Sequence, residues 1–172
     1  MDLAALYAQC GPNVAPQTLA AIVRVELSGN PWRIGINGDY VLPRQPANQA
    51  EAIYDANQLI GMGYNIDMGL MQINFKNLKM LNLTVEQVFE PCTNIKAGAQ
   101  ILQSFYQKAV KDIGQGQQSL RRAISAYNTG NFSKGFANGY VAKVMQEQTL
   151  SAEASILAEA LQSSSVVAWS GK

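Results

Sequence analysis

Residues 66–74 have the sequence IDMGLMQIN, and they separate two kinds of patterning in the chain. Before them, residues 31–65 combine short apolar runs with turn residues, a pattern typical of a small antiparallel sheet. After them, and again before residue 31, apolar residues recur at the three- and four-residue spacing of amphipathic helices. The sequence therefore predicts an α+β fold that is mostly helical, with a small antiparallel β lobe between helices.

The β lobe is predicted to begin with a hairpin. Residues 32–36 and 40–42 flank Asn37-Gly38, a dipeptide that strongly favours the type I′ turn of a hairpin. A helix over residues 49–60 is expected to follow, because its apolar residues share one face.

Residues 66–74 themselves are predicted to form a third strand that is interrupted at Gly69. On a regular strand, Gln72 and Asn74 point to the same face. Two amides on one face can bind the hydroxyl and N-acetyl groups of a sugar, because each amide both donates and accepts hydrogen bonds. A half-buried strand with a polar outer face has the same pattern, so the residues alone leave both interpretations open.

Helices are predicted on both sides of this lobe, and nothing indicates a second domain. We predict one domain over residues 1–150 and a C-terminal tail over residues 151–172 that is flexible. Outside the lobe, helices are expected over residues 16–27, 93–110 and 120–127, and one more around residues 140–145.

The composition excludes several classes of function. The chain has 172 residues, of which 48% are hydrophobic, a formal net charge of +1 and no histidine. It is too apolar for a disordered protein, and a charge near zero gives no reason to expect nucleic acid as a partner. Without histidine, Ser-His-Asp catalysis and His-ligated metal sites are excluded, and no metal or cofactor is indicated. No apolar run is long enough for membrane insertion.

Glu26 is the leading candidate for a catalytic group. It lies on the same helical face as Leu19 and Ile22, just before a loop. Burial on such a face disfavours the charged carboxylate and raises its pKa, which keeps the carboxylic acid protonated for general acid catalysis. The same pattern also fits a glutamate at the rim of the core whose carboxylate reaches water.

A second candidate stretch surrounds Tyr127. This tyrosine lies on the apolar face of its predicted helix, so its hydroxyl needs a hydrogen-bond partner if it is buried. Asn128 and Gly130 follow it and are typical of a helix end. A core tyrosine followed by an ordinary helix end would explain the stretch without any function.

A glycosidase usually works with two carboxyl groups, and the sequence offers no clear second one. Asp39 lies beside the predicted turn, and Glu51 and Asp55 fit the solvated face of a helix. Asp67 immediately precedes the glycine-containing stretch and is the most notable of these carboxyl groups, although a residue at the start of a strand would explain it without any function.

The chain contains two cysteines, Cys10 and Cys92. They do not form a CxxC pair, and two thiols without histidine make a poor zinc site. They are either two buried thiols or one long-range disulfide, and a disulfide would indicate an oxidising compartment.

Three motifs follow one another along the chain. Glu26 is followed by SGNPW at residues 28–32, then by GLMQIN at residues 69–74, and then by AYNTGN at residues 126–131. This order resembles the soluble lytic transglycosylase family. The closer resemblance is to VirB1-like proteins, the peptidoglycan-cleaving components of type IV secretion and conjugation systems.

The resemblance covers about residues 5–148 and implies a lysozyme-like fold, related to goose-type lysozyme. Residues 9–18 and the Pro91-Cys92 pair look like the VirB1-like branch. This likeness favours the disulfide between Cys10 and Cys92 and a periplasmic location. No signal peptide is recognised in the chain.

The resemblance also implies a reaction with a single catalytic carboxyl group. In this family the glutamate that matches Glu26 protonates the glycosidic oxygen between N-acetylmuramic acid and N-acetylglucosamine. It then acts as a base on the muramic 6-hydroxyl, which attacks its own anomeric carbon and gives a 1,6-anhydro product. The implied partners are peptidoglycan glycan strands and other components of a secretion or conjugation apparatus.

The family likeness assigns further residues around this glutamate. Gln72 and Tyr127 match family residues that lie close to the acid, and Asn128 is their expected neighbour. The family usually has Ser directly after the glutamate, whereas here Leu27 occupies that position and Ser28 follows it. The implied substrate-binding residues are Ser28, Gln72, Asn74, Tyr127 and Asn128.

Two alternative functions compete with this interpretation. A hydrolytic muramidase of goose-type character would use Asp67 or Asp39 to position a water molecule and would release a reducing end. A non-catalytic assembly subunit would bind peptidoglycan and recruit partners without turnover.

Overall fold

A computed structural model describes the backbone of residues 3–26 and 30–167, and the side chains of residues 5–26 and 30–156. Within these residues the chain forms nine helices and one three-stranded antiparallel sheet, which confirms the predicted α+β, mostly helical class. The helices are α1 Leu3–Cys10, α2 Pro16–Glu26, α3 Gln49–Gly61, α4 Leu78–Leu81, α5 Val85–Val88, α6 Pro91–Ile113, α7 Gln117–Thr129, α8 Lys134–Ala137 and α9 Tyr140–Val167. The strands are β1 Ile34–Asn37, β2 Asn65–Met68 and β3 Ile73–Asn74, with a 3₁₀ turn at Phe75–Asn77.

The predicted hairpin is wrong in its pairing. β1 pairs with β2, and residues 40–42 form no strand. The side chain of Gln45 accepts from the N–H of Ile34 at 2.8 Å and donates to its C=O at 3.0 Å. One side-chain amide therefore satisfies the edge of β1 that a returning strand would have paired.

The single strand predicted over residues 66–74 is in fact two antiparallel strands. The chain reverses after Gly69, whose φ of +74° lies in the left-handed region, and a Cβ atom there would overlap the amide of Asn94. Gln72 lies in the turn with φ of +47°, whereas Asn74 lies in β3. The prediction that both amides share one strand face is therefore wrong.

The sheet has one apolar face and one polar face. Along β2, Ile66 and Met68 are fully buried, whereas Asp67 between them is half-buried. Asp67 is paired with Gly35 of β1 and with Asn74 of β3. Because successive strand residues alternate between the two faces, this register collects polar groups on the side away from the core.

Helix α2 carries Glu26 at its C-terminal end. Leu19, Ile22 and Val23 of α2 are buried, as their spacing predicts, and the helix packs against α1 and α9. This packing fixes the position of Glu26, the last residue of α2.

Helix α9 continues without a break past residue 150, to Val167. Near this point Gln148 donates a hydrogen bond to the hydroxyl of Thr18 at 3.1 Å, and Arg24 donates one to the hydroxyl of Ser151. Residues 151–167 therefore extend α9, whose preceding part packs against α2. No helix among the described residues combines the length and hydrophobicity needed to cross a membrane.

The Cys10–Cys92 disulfide is present and joins α1 to α6 across a separation of 82 residues. Replacing both cysteines by Ala is expected to lower the free energy of unfolding by about 3 kcal/mol, because the unfolded chain gains conformational freedom. Urea denaturation of both proteins, with and without a thiol reductant, measures this change. Reduction should lower the stability of the wild type only, and a double variant as stable as the oxidised wild type would contradict the prediction.

Candidate active site

A cleft of about 500 Å³ brings most of the predicted residues together. Its walls include the polar face of the sheet, the end of α2 and parts of α4, α6 and α7. Ser28 lies outside the described residues, so its role stays a prediction, and Asp39 does not line the cleft. The predicted residues in the lining are Glu26, Asp67, Gln72, Asn74, Tyr127 and Asn128.

Glu26 is half-buried in this cleft and is held by a tyrosine from α9. The hydroxyl of Tyr140 donates a hydrogen bond to Oε1 of Glu26 at 2.6 Å. Tyr140 is only 7% exposed, so water has little access to this bond. A carbonyl oxygen is a better acceptor than a hydroxyl oxygen, so in the neutral carboxyl group we expect the acidic proton on Oε2.

Several effects act on the pKa of Glu26. Burial raises the pKa and is the largest effect, because it disfavours the charged form. The hydrogen bond from Tyr140 lowers the pKa, the negative charge of Asp67 raises it, and the positive charge of Arg33 lowers it. The net change is upward, so Glu26 keeps its proton to a higher pH than an exposed glutamate does, as general acid catalysis requires.

Two asparagines connect the end of α7 to the start of α9 and so position Tyr140. Oδ1 of Asn138 accepts from the N–H of Tyr140 at 3.0 Å, and Nδ2 of Asn138 donates to Oδ1 of Asn128 at 2.9 Å. Asn128 therefore supports the residue that holds the acid, in addition to lining the cleft.

The hydroxyl of Tyr127 has a hydrogen-bond partner, as the sequence predicts for a tyrosine on an apolar helical face. Its hydroxyl donates to the carbonyl oxygen of Met71 at 2.6 Å. Burial raises the pKa of Tyr127, and the negative charges of Glu26 and Asp67 raise it further. Tyr127 is therefore a neutral group near the acid, and its proton is committed to the backbone.

Gln72 uses both of its side-chain N–H groups inside the protein. Nε2 donates to the carbonyl oxygens of Gly69 at 2.9 Å and Arg33 at 3.2 Å. A Cβ atom at Gly35 would lie 2.7 Å from Oε1 of Gln72, so a glycine at this position leaves room for the amide. Oε1 is therefore the atom through which Gln72 could bind a substrate, as an acceptor.

Asp67 is the second carboxyl group in the cleft. Nδ2 of Asn37 donates to its Oδ2 at 2.8 Å, and Nδ2 of Asn74 donates to its Oδ1 at 2.7 Å. Burial raises the pKa of Asp67 and outweighs the two hydrogen bonds, which lower it. Asn74 also accepts from the N–H of Lys76 at 3.0 Å, so both ends of its amide are engaged within the protein.

Asn94 of α6 stabilises the turn between β2 and β3 through hydrogen bonds to its backbone. It is 1% exposed, and its Oδ1 accepts from the N–H of Met71 at 2.7 Å. Its Nδ2 donates to the carbonyl oxygens of Met68 at 2.9 Å and Val88 at 2.7 Å. The carbonyl oxygen of Met71 also accepts the hydrogen bond from the hydroxyl of Tyr127, so Asn94 and Tyr127 together fix this turn.

Three residues of the site, Tyr140, Asn37 and Asn94, were not predicted to belong to it. Apolar spacing assigns Tyr140 only to the buried face of a helix. A tyrosine on such a face requires a hydrogen-bond partner, which is the signal that identified Tyr127. The signal does not name the partner, because Glu26 and Tyr140 are 114 residues apart.

For a reaction in which Glu26 is the general acid, replacing Tyr140 by Phe is expected to lower kcat/KM about tenfold, because the carboxylate left after proton transfer loses a charge-assisted hydrogen bond. The same bond lowers the pKa of Glu26, so its removal should shift the basic limb of the pH–rate profile to higher pH. The measurement is the pH dependence of product release, with Tyr54→Phe on the exposed face of α3 as the control. An unchanged profile would contradict the assignment.

Comparison with known proteins gives a consistent result. The transglycosylase SLT domain family matches residues 4–149. The type IV secretion system protein virB1 of Brucella abortus (strain 9-941) is 45% identical over 146 residues, which cover 81% of this chain and 61% of the relative. Protein virB1 of Agrobacterium fabrum (strain C58) is 44% identical over 138 residues, which cover 79% of this chain and 55% of the relative. The chain thus spans only part of the length of these relatives, and no solved structure matches it significantly.

Proposed function

Because the chain belongs to the transglycosylase SLT domain family, we propose that it cleaves peptidoglycan by lytic transglycosylation. The bond cleaved is the β-1,4 bond between N-acetylmuramic acid and N-acetylglucosamine. The observation that carries this proposal is the carboxyl group of Glu26, half-buried in the cleft with a raised pKa and bound at Oε1 by Tyr140.

The reaction uses Glu26 twice. First, Oε2 of Glu26 gives its proton to the glycosidic oxygen while the bond from that oxygen to the muramic C1 breaks, and the acetylglucosamine end leaves with a free 4-hydroxyl. The carboxylate of Glu26 then takes the proton of the muramic 6-hydroxyl while O6 bonds to C1. Glu26 ends protonated, the muramic residue becomes its 1,6-anhydro form, and no water is consumed.

The neighbours of Glu26 act through charge and position. Tyr140 stabilises the carboxylate that forms after the first proton transfer. The negative charge of Asp67 stabilises the positive charge that develops at the muramic C1 in the transition state. We assign substrate contacts to Ser28, Gln72, Asn74, Tyr127 and Asn128.

The names of the relatives supply the biological context of the proposal. We place this chain in the periplasm, where it would open the cell wall locally for a type IV secretion or conjugation apparatus, with other components of that apparatus as partners. We assign catalysis to a domain over residues 1–150 and leave residues 151–172 as a tail available to those partners.

Mass spectrometry of the muropeptides released from purified peptidoglycan tests the proposal. The expected products carry 1,6-anhydro ends. If the protein binds peptidoglycan but releases nothing, the enzymatic proposal fails and a non-catalytic assembly subunit takes its place.

A second candidate function, hydrolysis, rests on Asp67. This carboxyl group lines the same cleft as Glu26, so the chain does offer the pair of carboxyl groups that a hydrolytic glycosidase uses. Hydrolysis in water enriched in ¹⁸O would place the label on a reducing muramic end, whereas transglycosylation incorporates no label. Labelled reducing ends would replace the first proposal by the second.

A further inference from the structure

The cleft contains two lysines that the proposed reaction does not use. Lys76 lies in the 3₁₀ turn after β3, and Lys108 lies on α6, and both line the cleft with exposed side chains. The ion pairs found among the described residues are Arg44–Glu51 and Arg122–Asp112, so within this part of the chain neither lysine is paired with a carboxylate.

The carboxyl groups of the cleft already have other partners. Glu26 is bound by Tyr140, and Asp67 is bound on both oxygens by Asn37 and Asn74. The two ammonium groups are therefore available to a ligand that brings its own negative charge.

An apolar surface accompanies the two lysines in the lining. Nζ of Lys108 lies 5.5 Å from the ring centroid of Phe105, a distance at which the aromatic face attracts the ammonium group. Met80, which is 72% exposed, and Ile101 also line the cleft. The combined surface suits a ligand that has both carboxylates and alkyl groups.

The glycan backbone of peptidoglycan presents hydroxyl and N-acetyl groups, whereas the stem peptide on the muramic lactyl group carries carboxylates and alkyl side chains. We propose that Lys76 and Lys108 bind carboxylates of the stem peptide, with Phe105 and Met80 against its alkyl groups. This inference rests on the proposed function, because it makes peptide-bearing muramic residues the preferred substrate of the same cleft.

The test compares native peptidoglycan with the same material after its carboxylates have been converted to amides with a carbodiimide and ammonia. The readout is kcat/KM on native peptidoglycan divided by kcat/KM on the amidated material. Two exposed ion pairs are worth about fivefold in this ratio for the wild type. The double variant Lys76→Gln/Lys108→Gln should lower the ratio to about one.

A matched control removes the same charge beside the cleft. Lys79 and Lys111 are exposed and follow the two lysines by three residues, but neither lines the cleft. Lys79→Gln/Lys111→Gln should keep the wild-type ratio. A wild-type ratio near one, a ratio retained without Lys76 and Lys108, or an equal loss in the control would overturn the proposal.

A binding experiment separates this inference from the proposed reaction. The variant Glu26→Gln, alone or combined with either lysine pair, is sedimented with native or amidated insoluble peptidoglycan. Preferential binding to native material that depends on Lys76 and Lys108 supports the inference even if the wild type gives no anhydro product. Equal binding to both materials refutes it even if the wild type is fully active.

Discussion

Replacing Glu26 by Gln is expected to abolish glycan cleavage and leave the fold intact. The amide has nearly the same shape but can neither give a proton to the glycosidic oxygen nor take one from the 6-hydroxyl. General acid–base catalysis by one group contributes about 10²–10⁴-fold, so we expect a loss of at least about 10³-fold in kcat. Quantitative mass spectrometry of released muropeptides measures this loss.

A stability measurement accompanies this activity assay. The pKa of Glu26 is raised in the folded protein, so the folded state holds this proton to a higher pH than the unfolded state does. Ionisation of Glu26 therefore costs stability as the pH rises from the ordinary carboxyl pKa through the raised one. Glu26→Gln removes this cost and should be at least as stable as the wild type above that range.

Thermal unfolding at several pH values checks the predicted stability. The control variant is Glu153→Gln, an exposed glutamate on α9 that does not line the cleft, and it should leave the activity unchanged. Residual cleavage by Glu26→Gln within tenfold of the wild type would show that another group is the acid.

Replacing Asn94 by Ala is expected to lower the free energy of unfolding by about 5 kcal/mol, because three buried backbone groups lose their hydrogen-bond partner. The turn that contains Met71 and Gln72 would lose its support from α6. Tyr127 donates to the carbonyl of Met71, so the cleft should lose its geometry together with stability.

Chemical denaturation measures the effect of Asn94→Ala on stability, and Asn13→Ala is the control because Asn13 is exposed in a loop. Activity measured below the unfolding transition reports separately on the cleft. A loss of less than about 1 kcal/mol would mean that water replaces the amide without difficulty, contrary to the prediction.

Local patterning predicted the helices and singled out Glu26 as a candidate acid. The apolar spacing of α2 places Glu26 on the same helical face as Leu19 and Ile22, because a helix has a fixed period of 3.6 residues. The same reasoning required a partner for the hydroxyl of Tyr127. The order of the three motifs added the family, which the SLT domain match confirms, and the reaction class that we propose.

The β lobe was predicted less accurately. The Asn37-Gly38 dipeptide favours a local hairpin, but β1 pairs with β2, some thirty residues further along the chain, and Gln45 covers its other edge. Gly69 was recognised as an interruption, yet a reversal of the chain there also requires the amide of Asn94. Local propensity cannot predict these hydrogen-bond partners, because they are distant in the sequence.

The sequence by itself determined the period of each helix, the choice of Glu26 as the candidate acid and the chemistry available without histidine. Tertiary structure alone decided that Tyr140 binds Glu26, that Asn37 and Asn74 bind Asp67, and that two lysines share the same cleft. The physical reason is that hydrogen bonding and charge interactions depend on distance in space. Packing of α2 against α9, and pairing of β2 with both of its neighbours, bring together residues that no local pattern connects.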